Sequence, residues 1–153
     1  MGFLDSLEGD RIYLDANIWI YALEAVSEYS QMLAPLFEAA DTGSITLVTS
    51  ELSLAEILVK PIKQANVLEQ ALYSEAIISN DSLTVVPVDR SVLIRAARTR
   101  ASTKLKLPDA IHAASAIENA CTTFLTNDKQ FKTVKRLHTL LLSQVLTNNN
   151  EQA

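Results

Sequence analysis

Four acidic residues in apolar surroundings are the side chains of this sequence that could do chemistry together. They are Asp15 in the run IYLDANIWIYAL, Glu56 after a predicted strand, Asp109 at the start of a predicted helix and Asp128 at the end of FLTND. Two carboxylates about 4 Å apart repel each other by about 4 kcal/mol at an effective dielectric constant of about 20. Converging acids therefore need a cation or shifted pKa values.

Carboxylate donors also predict which ion would bind. Oxygen ligands without cysteine or paired histidines suit a hard ion, Mg²⁺ or Mn²⁺, and disfavour a structural zinc site. Such an ion can activate a water molecule and stabilise phosphoryl oxygens, as in metal-dependent nucleases. The single cysteine, Cys121, lies in an apolar segment and is expected to be a buried, unreactive thiol.

Asp15 and Asn17 lie two residues apart at the end of the first predicted strand. In extended geometry both side chains leave from the same face, so an acid and an amide would point in one direction. The alternative is that Asp15 caps a helix beginning near Asn17, because Asp and Asn are common N-cap residues. A cap alone does not require both residues in so apolar a segment.

Glu56 also has two interpretations. Ser53 and Glu56 fit the S-x-x-E capping box, in which Glu56 would only help to start a helix. If the helix instead begins at Ser50 or Glu51, Glu56 projects from its second turn on the apolar side, where an acid needs a partner. Glu51 is the replacement candidate if Glu56 is only a cap.

Asp109 lies in the first turn of a predicted helix that has Pro108 at its first position. An acid there suits the helix dipole, which is the structural alternative to a chemical role. Several alanines make this helix suited to close packing, which would hold Asp109 rigidly near the sheet. His112, on a similar face, either supports the site from behind or is a core or surface residue.

The run FLTND places Thr126, Asn127 and Asp128 at the carboxyl end of another predicted strand. Asn127 or Asp128 could be a cap for the segment that follows. Either residue could also contact an ion, and Asp128 is the preferred ligand because it is charged. The remaining histidine, His138, has no partner in the sequence and receives no role.

Short apolar runs alternate with longer amphipathic segments, which predicts an α/β fold whose mostly parallel sheet is covered on both faces. The predicted strands are 11–15, 45–49, 83–88, 122–126 and 136–142. The predicted helices lie near 17–26, 30–41, 51–60, 65–79, 89–103 and 108–119. Ligands of such sheets bind outside the carboxyl ends of the strands, where the candidate acids lie.

Length and composition predict one domain over residues 1–142, followed by a frayed polar tail over 143–153. No apolar run is long enough to span a membrane, and MGFLDSLEGD carries acids where a signal peptide carries basic residues. We therefore expect a cytoplasmic protein. Only three glycines occur, without a phosphate-cradling loop, which argues against a Rossmann or P-loop nucleotide site.

Charge is distributed unevenly along the chain. The net charge is −5, but residues 1–89 hold three basic and fourteen acidic side chains, whereas residues 90–136 hold ten basic and three acidic ones. The basic half predicts a face aimed at RNA or at an acidic protein segment, and a solvated helix face is the alternative. The candidate contacts are Arg95, Arg98, Arg100, Lys104, Lys106 and Lys129.

With these residues in place, the sequence resembles the PIN-domain family of ribonucleases and, within it, the VapC-like toxins of prokaryotic toxin–antitoxin pairs. The resemblance rests on LDANIWIYAL, SLAEIL, KLPDAIHAASAI and FLTND, which follow the family's order and cover residues 12 to about 142. It implies a three-layer sandwich with a central sheet of four to five strands. It also implies a homodimer that a small antitoxin inhibits.

The resemblance implies roles for residues as well. The implied acidic site for Mg²⁺ or Mn²⁺ consists of Asp15, Glu56, Asp109 and Asp128. Asn17 and Thr126 would assist from beside it, and the implied reaction is metal-dependent hydrolysis of RNA phosphodiester bonds. Two other hypotheses stay open here: a catalytically silent PIN-like module that binds RNA or a protein, and an RNA-processing nuclease without an antitoxin.

Overall fold

A five-stranded parallel sheet forms the centre of the chain, as the alternating pattern predicts. The computed structural model describes residues 2–24 and 27–145. Strands lie side by side in the order β3-β2-β1-β4-β5, and all four neighbouring pairs are parallel. The strands are β1 (Arg11–Leu14), β2 (Thr46–Ser50), β3 (Leu83–Val86), β4 (Thr123–Thr126) and β5 (Thr139–Leu141).

Six α-helices connect these strands within the described ranges. They are α1 (Ala16–Leu23), α2 (Ser27–Asp41), α3 (Glu51–Lys63), α4 (Val67–Ala76), α5 (Arg90–Ser102) and α6 (Leu107–Glu118). Two 3-10 helices, Phe3–Ser6 and Lys129–Thr133, complete the set. Every predicted helix has a counterpart, although the first ends at Leu23, and residues 25 and 26 of its predicted range lie outside the described residues.

Buried side chains on the two faces of the sheet form two separate cores, which makes the predicted three layers. Ile12 and Leu14 of β1 join a core that contains buried residues of α1 to α4. Tyr13, between them, points to the other face and joins a core with α5 and α6. This alternation follows from the two-residue period of a strand.

The second core is built from aromatic rings and small residues. Tyr13 stacks on Phe124 with ring centroids 5.0 Å apart, and Phe124 contacts Phe131 at 4.5 Å. Helix α6 contributes only alanine to this core as fully buried apolar residues: Ala110, Ala113, Ala114 and Ala116. Small side chains let its backbone approach the sheet closely, so the first turn of α6 is held at a fixed position relative to β1 and β4.

Beyond β5, Leu142 and Val145 are still buried in the first core. The rest of the predicted tail over 143–153, from residue 146 onward, lies outside the described residues. In the part of the chain that the structure covers, no helix has both the length and the apolar character needed to cross a membrane.

Candidate active site

Asp15 leaves the sheet directly after β1 and starts α1. Its backbone N–H donates to the carbonyl oxygen of Leu125 at 3.1 Å, which continues the pairing of β1 with β4. One carboxylate oxygen, Oδ1, accepts from the N–H of Ala16 at 2.8 Å, and Oδ2 accepts from the hydroxyl of Thr126 at 2.7 Å. The side chain therefore is an N-cap, as the alternative interpretation held, and is also a buried acid tied to the neighbouring strand.

Thr126 connects two of the candidate acids. Its hydroxyl donates to Asp15 and accepts from the N–H of Asp128 at 3.0 Å. Oδ1 of Asp128 accepts from the N–H of Gln130 at 2.9 Å and caps the following 3-10 helix. One buried hydroxyl thus fixes the relative positions of the ends of β1 and β4.

Asn127 has a different set of contacts. Its Nδ2 donates to the hydroxyl of Tyr21 at 3.3 Å, and its Oδ1 accepts from the N–H of Ser143 at 2.7 Å. Both ends of the amide therefore tie β4 to α1 and to the segment after β5. Asp128, by contrast, carries a charge that raises the pKa of Asp109.

Asn17 does not share a strand face with Asp15. It is the second residue of α1 and is exposed, because the chain leaves the extended conformation at Asp15. The prediction from extended geometry was wrong at this pair, since a two-residue offset places side chains on one face only in a strand.

Glu56 lies in the second turn of α3, and the capping-box interpretation of this segment was wrong. The helix is capped by Ser50, whose side chain accepts from the N–H of Leu52 at 3.0 Å. Ser53 is buried, with its hydroxyl 2.7 Å from that of Thr49. Glu51, the replacement candidate, is exposed in the first turn.

His112 joins the acids from behind. The ring is fully buried, its Nδ1 lies 2.7 Å from the hydroxyl of Tyr13, and its Nε2 is hydrogen-bonded to Oε1 of Glu56. The same Nε2 lies 3.9 Å from Oδ1 of Asp15. Because Glu56 can only accept from Nε2–H, a neutral His112 would accept from the Tyr13 hydroxyl, which gives a continuous chain of hydrogen bonds.

Burial and mutual repulsion disfavour ionisation of the aspartates. Burial raises the pKa of Asp15 above that of an exposed aspartate, although His112 and the Thr126 hydroxyl oppose the shift. Burial also raises the pKa of Asp109, and the charges of Asp15 and Asp128 raise it further. Asp109 therefore lies within the electrostatic field of Asp15 and Asp128.

The pKa of His112 shifts in the same direction. Burial alone would lower the pKa of this histidine, but its hydrogen bond to Glu56 and the charge of Asp15 outweigh burial and raise the pKa. The imidazole therefore behaves as a partner of the acids and not as an ordinary core ring. Its position three residues after Asp109, on the buried face of an alanine-rich helix, is the sequence signal for this role.

The four acids, here called the acidic edge, supply oxygen donors of the type that Mg²⁺ and Mn²⁺ prefer. Within residues 2–24 and 27–145, no three His, Cys, Asp or Glu side chains are close enough to hold a metal ion as they are placed. The four carboxylates fit a hard divalent ion by donor type, but they are not yet placed to bind one together. Binding would require some of these side chains to move together.

Comparisons with known proteins agree with this architecture. The family model of the PIN domain matches residues 12–137. A comparison with curated proteins finds no match.

Solved structures of toxin–antitoxin complexes and toxins share the fold. VapBC2 from Rickettsia felis, bound to a DNA fragment from its promoter, is 20% identical with a TM-score of 0.67, over 86% of this chain and 98% of that chain. FitAcB from Neisseria gonorrhoeae is 17% identical with a TM-score of 0.66, over 86% and 98%. VapC20 from Mycobacterium tuberculosis, described as a toxin that cleaves the sarcin–ricin loop, is 14% identical with a TM-score of 0.62, over 80% and 94%.

Proposed function

This chain belongs to the PIN-domain family, and we propose that it is a Mg²⁺- or Mn²⁺-dependent endoribonuclease that acts as the toxin of a toxin–antitoxin pair in the cytoplasm. The observation that carries the proposal is the hydrogen bond between Thr126 and the buried Asp15, which joins the ends of β1 and β4. Asp109 lies close enough to both Asp15 and Asp128 for their charges to raise its pKa. A cation bound between these acids would relieve their mutual repulsion.

In this proposal the ion is held by the acidic edge, namely Asp15, Glu56, Asp109 and Asp128. When bound, it supplies activation of water and charge stabilisation at the phosphoryl oxygens. Thr126 keeps Asp15 oriented, and His112 keeps the carboxylate of Glu56 turned toward Asp15. Outer contacts of this kind set the orientation and basicity of ligands in metal sites.

A protein partner is supported by exposed apolar side chains on α3 and α4. Val67 is 74% exposed and Leu68 is 72% exposed, and Val59, Ile62 and Leu72 are each at least half exposed. Apolar patches of this kind usually mark contacts with other proteins. Together with the similarity to the VapBC2 toxin–antitoxin structure, they support an antitoxin partner, and an exposed apolar surface is also what the proposed homodimer would use.

A second candidate is a catalytically silent module that binds RNA or a protein. The observation that favours it is that the described residues hold no three metal-binding side chains already in place. The two candidates differ in one measurable property, which is whether added metal makes the protein cut RNA.

The test is incubation of the purified protein, free of any inhibitor, with mixed RNA in Mn²⁺, in Mg²⁺ and in EDTA. We expect cleavage with either metal and none in EDTA. Asp81→Asn is a matched control for variants of the acidic edge, because Asp81 is exposed and lies outside it. Absence of metal-dependent cleavage in inhibitor-free protein would favour the silent module.

A further inference from the structure

A basic cleft lies apart from the acidic edge, between α5, the end of α6 and the segment before β5. Its volume is about 380 Å³. Four of the side chains that line it are cationic: Arg95, Arg98, Lys135 and Arg136. None of the four acids lines the cleft, so its chemistry is distinct from that of the candidate active site.

Two elements lead from the acidic edge to this cleft. Helix α6 carries Asp109 in its first turn and Ile117, which lines the cleft, in its last. These residues are about 12 Å apart along the helix axis at about 1.5 Å per residue. The 3-10 helix that Asp128 caps ends at Thr133, which also lines the cleft. The acids and the cations are therefore held at a set separation by the same pieces of structure.

Most of the positive charge in the cleft is uncompensated. Arg95 is paired with Glu118, and the hydrogen bond from Arg95 holds the pKa of that carboxyl below its usual range. Arg136 lies near enough to Glu118 to contribute to the same shift. Arg98 and Lys135 have no ion pair within 4 Å among the described residues. Four cations thus face one carboxylate.

Three of the four hydroxyl groups that line the cleft already have partners, and the fourth belongs to Thr99, which is buried. Those of Ser102 and Thr103 donate to the carbonyl oxygen of Thr99, and that of Thr133 donates to the carbonyl oxygen of Gln130. The exposed donors that remain for a ligand are therefore mainly the cations. A site that offers charge without a pattern of neutral donors suits phosphate groups regardless of base sequence.

We propose that the basic cleft binds backbone phosphates of the RNA whose cleavage at the acidic edge is proposed above. The inference rests on that proposed function, because RNA is repelled by four acids and must gain its affinity elsewhere. An acidic protein segment could also bind cations, but it would have no need of a cleft tied to the acids at a set distance. The cleft would hold the strand while the acids act on a bond farther along it.

The experiment compares two triple variants in an RNA-binding assay that excludes cleavage. The cleft variant is Arg98→Ala with Lys135→Ala and Arg136→Ala. The matched control is Arg90→Ala with Lys63→Ala and Lys132→Ala, which removes the same charge from exposed residues that neither line the cleft nor belong to the candidate contacts. Binding of two fluorescent single-stranded RNAs of unrelated sequence is measured by anisotropy in EDTA, over a range of salt concentrations.

We expect the cleft variant to bind both RNAs at least about tenfold more weakly, with the slope of log K against log salt reduced by about 2. The control should lose about threefold or less and keep its slope, because exposed charges outside the contact are screened. Circular dichroism and thermal unfolding check that both variants fold. Equal losses in the two variants, or no loss in the cleft variant, would overturn the proposal.

Poly-glutamate serves as the competing polyanion. Weaker RNA binding by the cleft variant, without measurable poly-glutamate binding by the wild type, supports the RNA site. If only poly-glutamate binding depends on the cleft, the RNA assignment is wrong. Binding is measured in EDTA, so its result does not depend on whether the wild type cuts RNA in Mn²⁺. Loss of the cleft proposal can therefore be distinguished from loss of the proposed ribonuclease function.

Discussion

The acidic edge and the basic cleft place their charged groups in opposite ways. Asp15 is 6% exposed and is fixed by two hydrogen bonds to its carboxylate, whereas Arg98, Lys135 and Arg136 are exposed. The proposed hydrolysis would require groups held in one geometry, and the ends of β1 and β4 hold Asp15 through its hydrogen bond with Thr126. Attraction of a polyanion requires only charge near the right place, and exposed helix and loop residues suffice. The two regions should therefore fail separately when mutated.

Asp15→Asn should have the largest effect and should separate the two regions most clearly. The substitution keeps the shape of the side chain but removes a proposed ligand, so cleavage in Mn²⁺ should fall about 100-fold or more. RNA binding in EDTA should stay the same or tighten, because one negative charge is lost. Parallel gel cleavage and anisotropy assays measure both. Undiminished cleavage would remove Asp15 from the site, and a matching loss of binding would show that the regions are not independent.

Thr126→Val should have the next largest effect, and it tests whether the geometry of the acids matters. Valine keeps the volume but leaves Oδ2 of Asp15 without its donor and the N–H of Asp128 without its acceptor. We expect cleavage to fall by about 10- to 100-fold and the free energy of unfolding to fall by about 1–3 kcal/mol. Thr126→Ser should restore most of both. If the serine variant is as impaired as the valine variant, the hydroxyl is not the cause.

Asp109→Asn should stabilise the metal-free protein, and the gain should depend on pH. Burial and the charges of Asp15 and Asp128 raise the folded-state pKa of Asp109, so its ionisation disfavours the folded state. Its contribution to stability is complete below the ordinary aspartate pKa and is lost as the pH rises through the raised value. In thermal unfolding measured in EDTA, the melting temperature of the wild type should therefore fall further below that of the variant as the pH increases.

The control for this prediction is Asp81→Asn, since Asp81 is exposed and distant in sequence from the acids. Its unfolding curve should follow that of the wild type at each pH. Added Mn²⁺ should raise the melting temperature of the wild type more than that of Asp109→Asn. A variant less stable than the wild type across the whole pH range would contradict the proposed repulsion.

Glu118→Gln should have the smallest effect and acts on the cleft alone. The substitution releases Arg95 from its ion pair and removes the carboxylate beside Arg136. RNA affinity in EDTA should rise by about two- to fivefold, because an exposed pair contributes little. Cleavage of a saturating amount of RNA should not change. Weaker binding of RNA would show that Glu118 orients Arg95 for the ligand instead of competing with it.

Much of the fold could be predicted because the spacing of apolar residues along the sequence indicates directly whether a segment is a strand or a helix. The five predicted strands and the order of the helices are present, and the PIN-family resemblance is confirmed. Asp15 and Asp128 lie near enough to Asp109 to raise its pKa, because parallel strands and the helices that follow them share one edge. Of these three acids, Asp15 and Asp128 are caps as well as site candidates, so the two interpretations were not exclusive.

The parts that sequence could not supply depend on helix phase and on contacts between distant segments. The start of α3 decides the direction of Glu56, and Ser50 and Ser53 are both plausible caps by type. The pairing of His112 with Glu56 joins residues 56 positions apart. No local pattern predicts such a contact.

Helix phase also divides the predicted basic residues. Arg95 and Arg98 share a face of α5 at a spacing of three and line the cleft with Thr99 and Ser102. The other predicted contacts do not line it: Arg100, Lys104, Lys106 and Lys129. Composition identifies the basic half of the chain, but only the folded structure shows which of its cations line the same cleft.

The hydrogen bond between Thr126 and Asp15 has a consequence for the time course of synthesis. It joins residues 111 positions apart. At about 5–20 residues per second, a ribosome makes Asp15 on the order of 10 s before Thr126. Until β4 exists, β1 lacks one of its two neighbouring strands, and Asp15 has neither its threonine nor its partner acids. If the chain is the ribonuclease proposed above, a growing chain cannot attack any RNA, including its own message, before nearly the whole domain has been made.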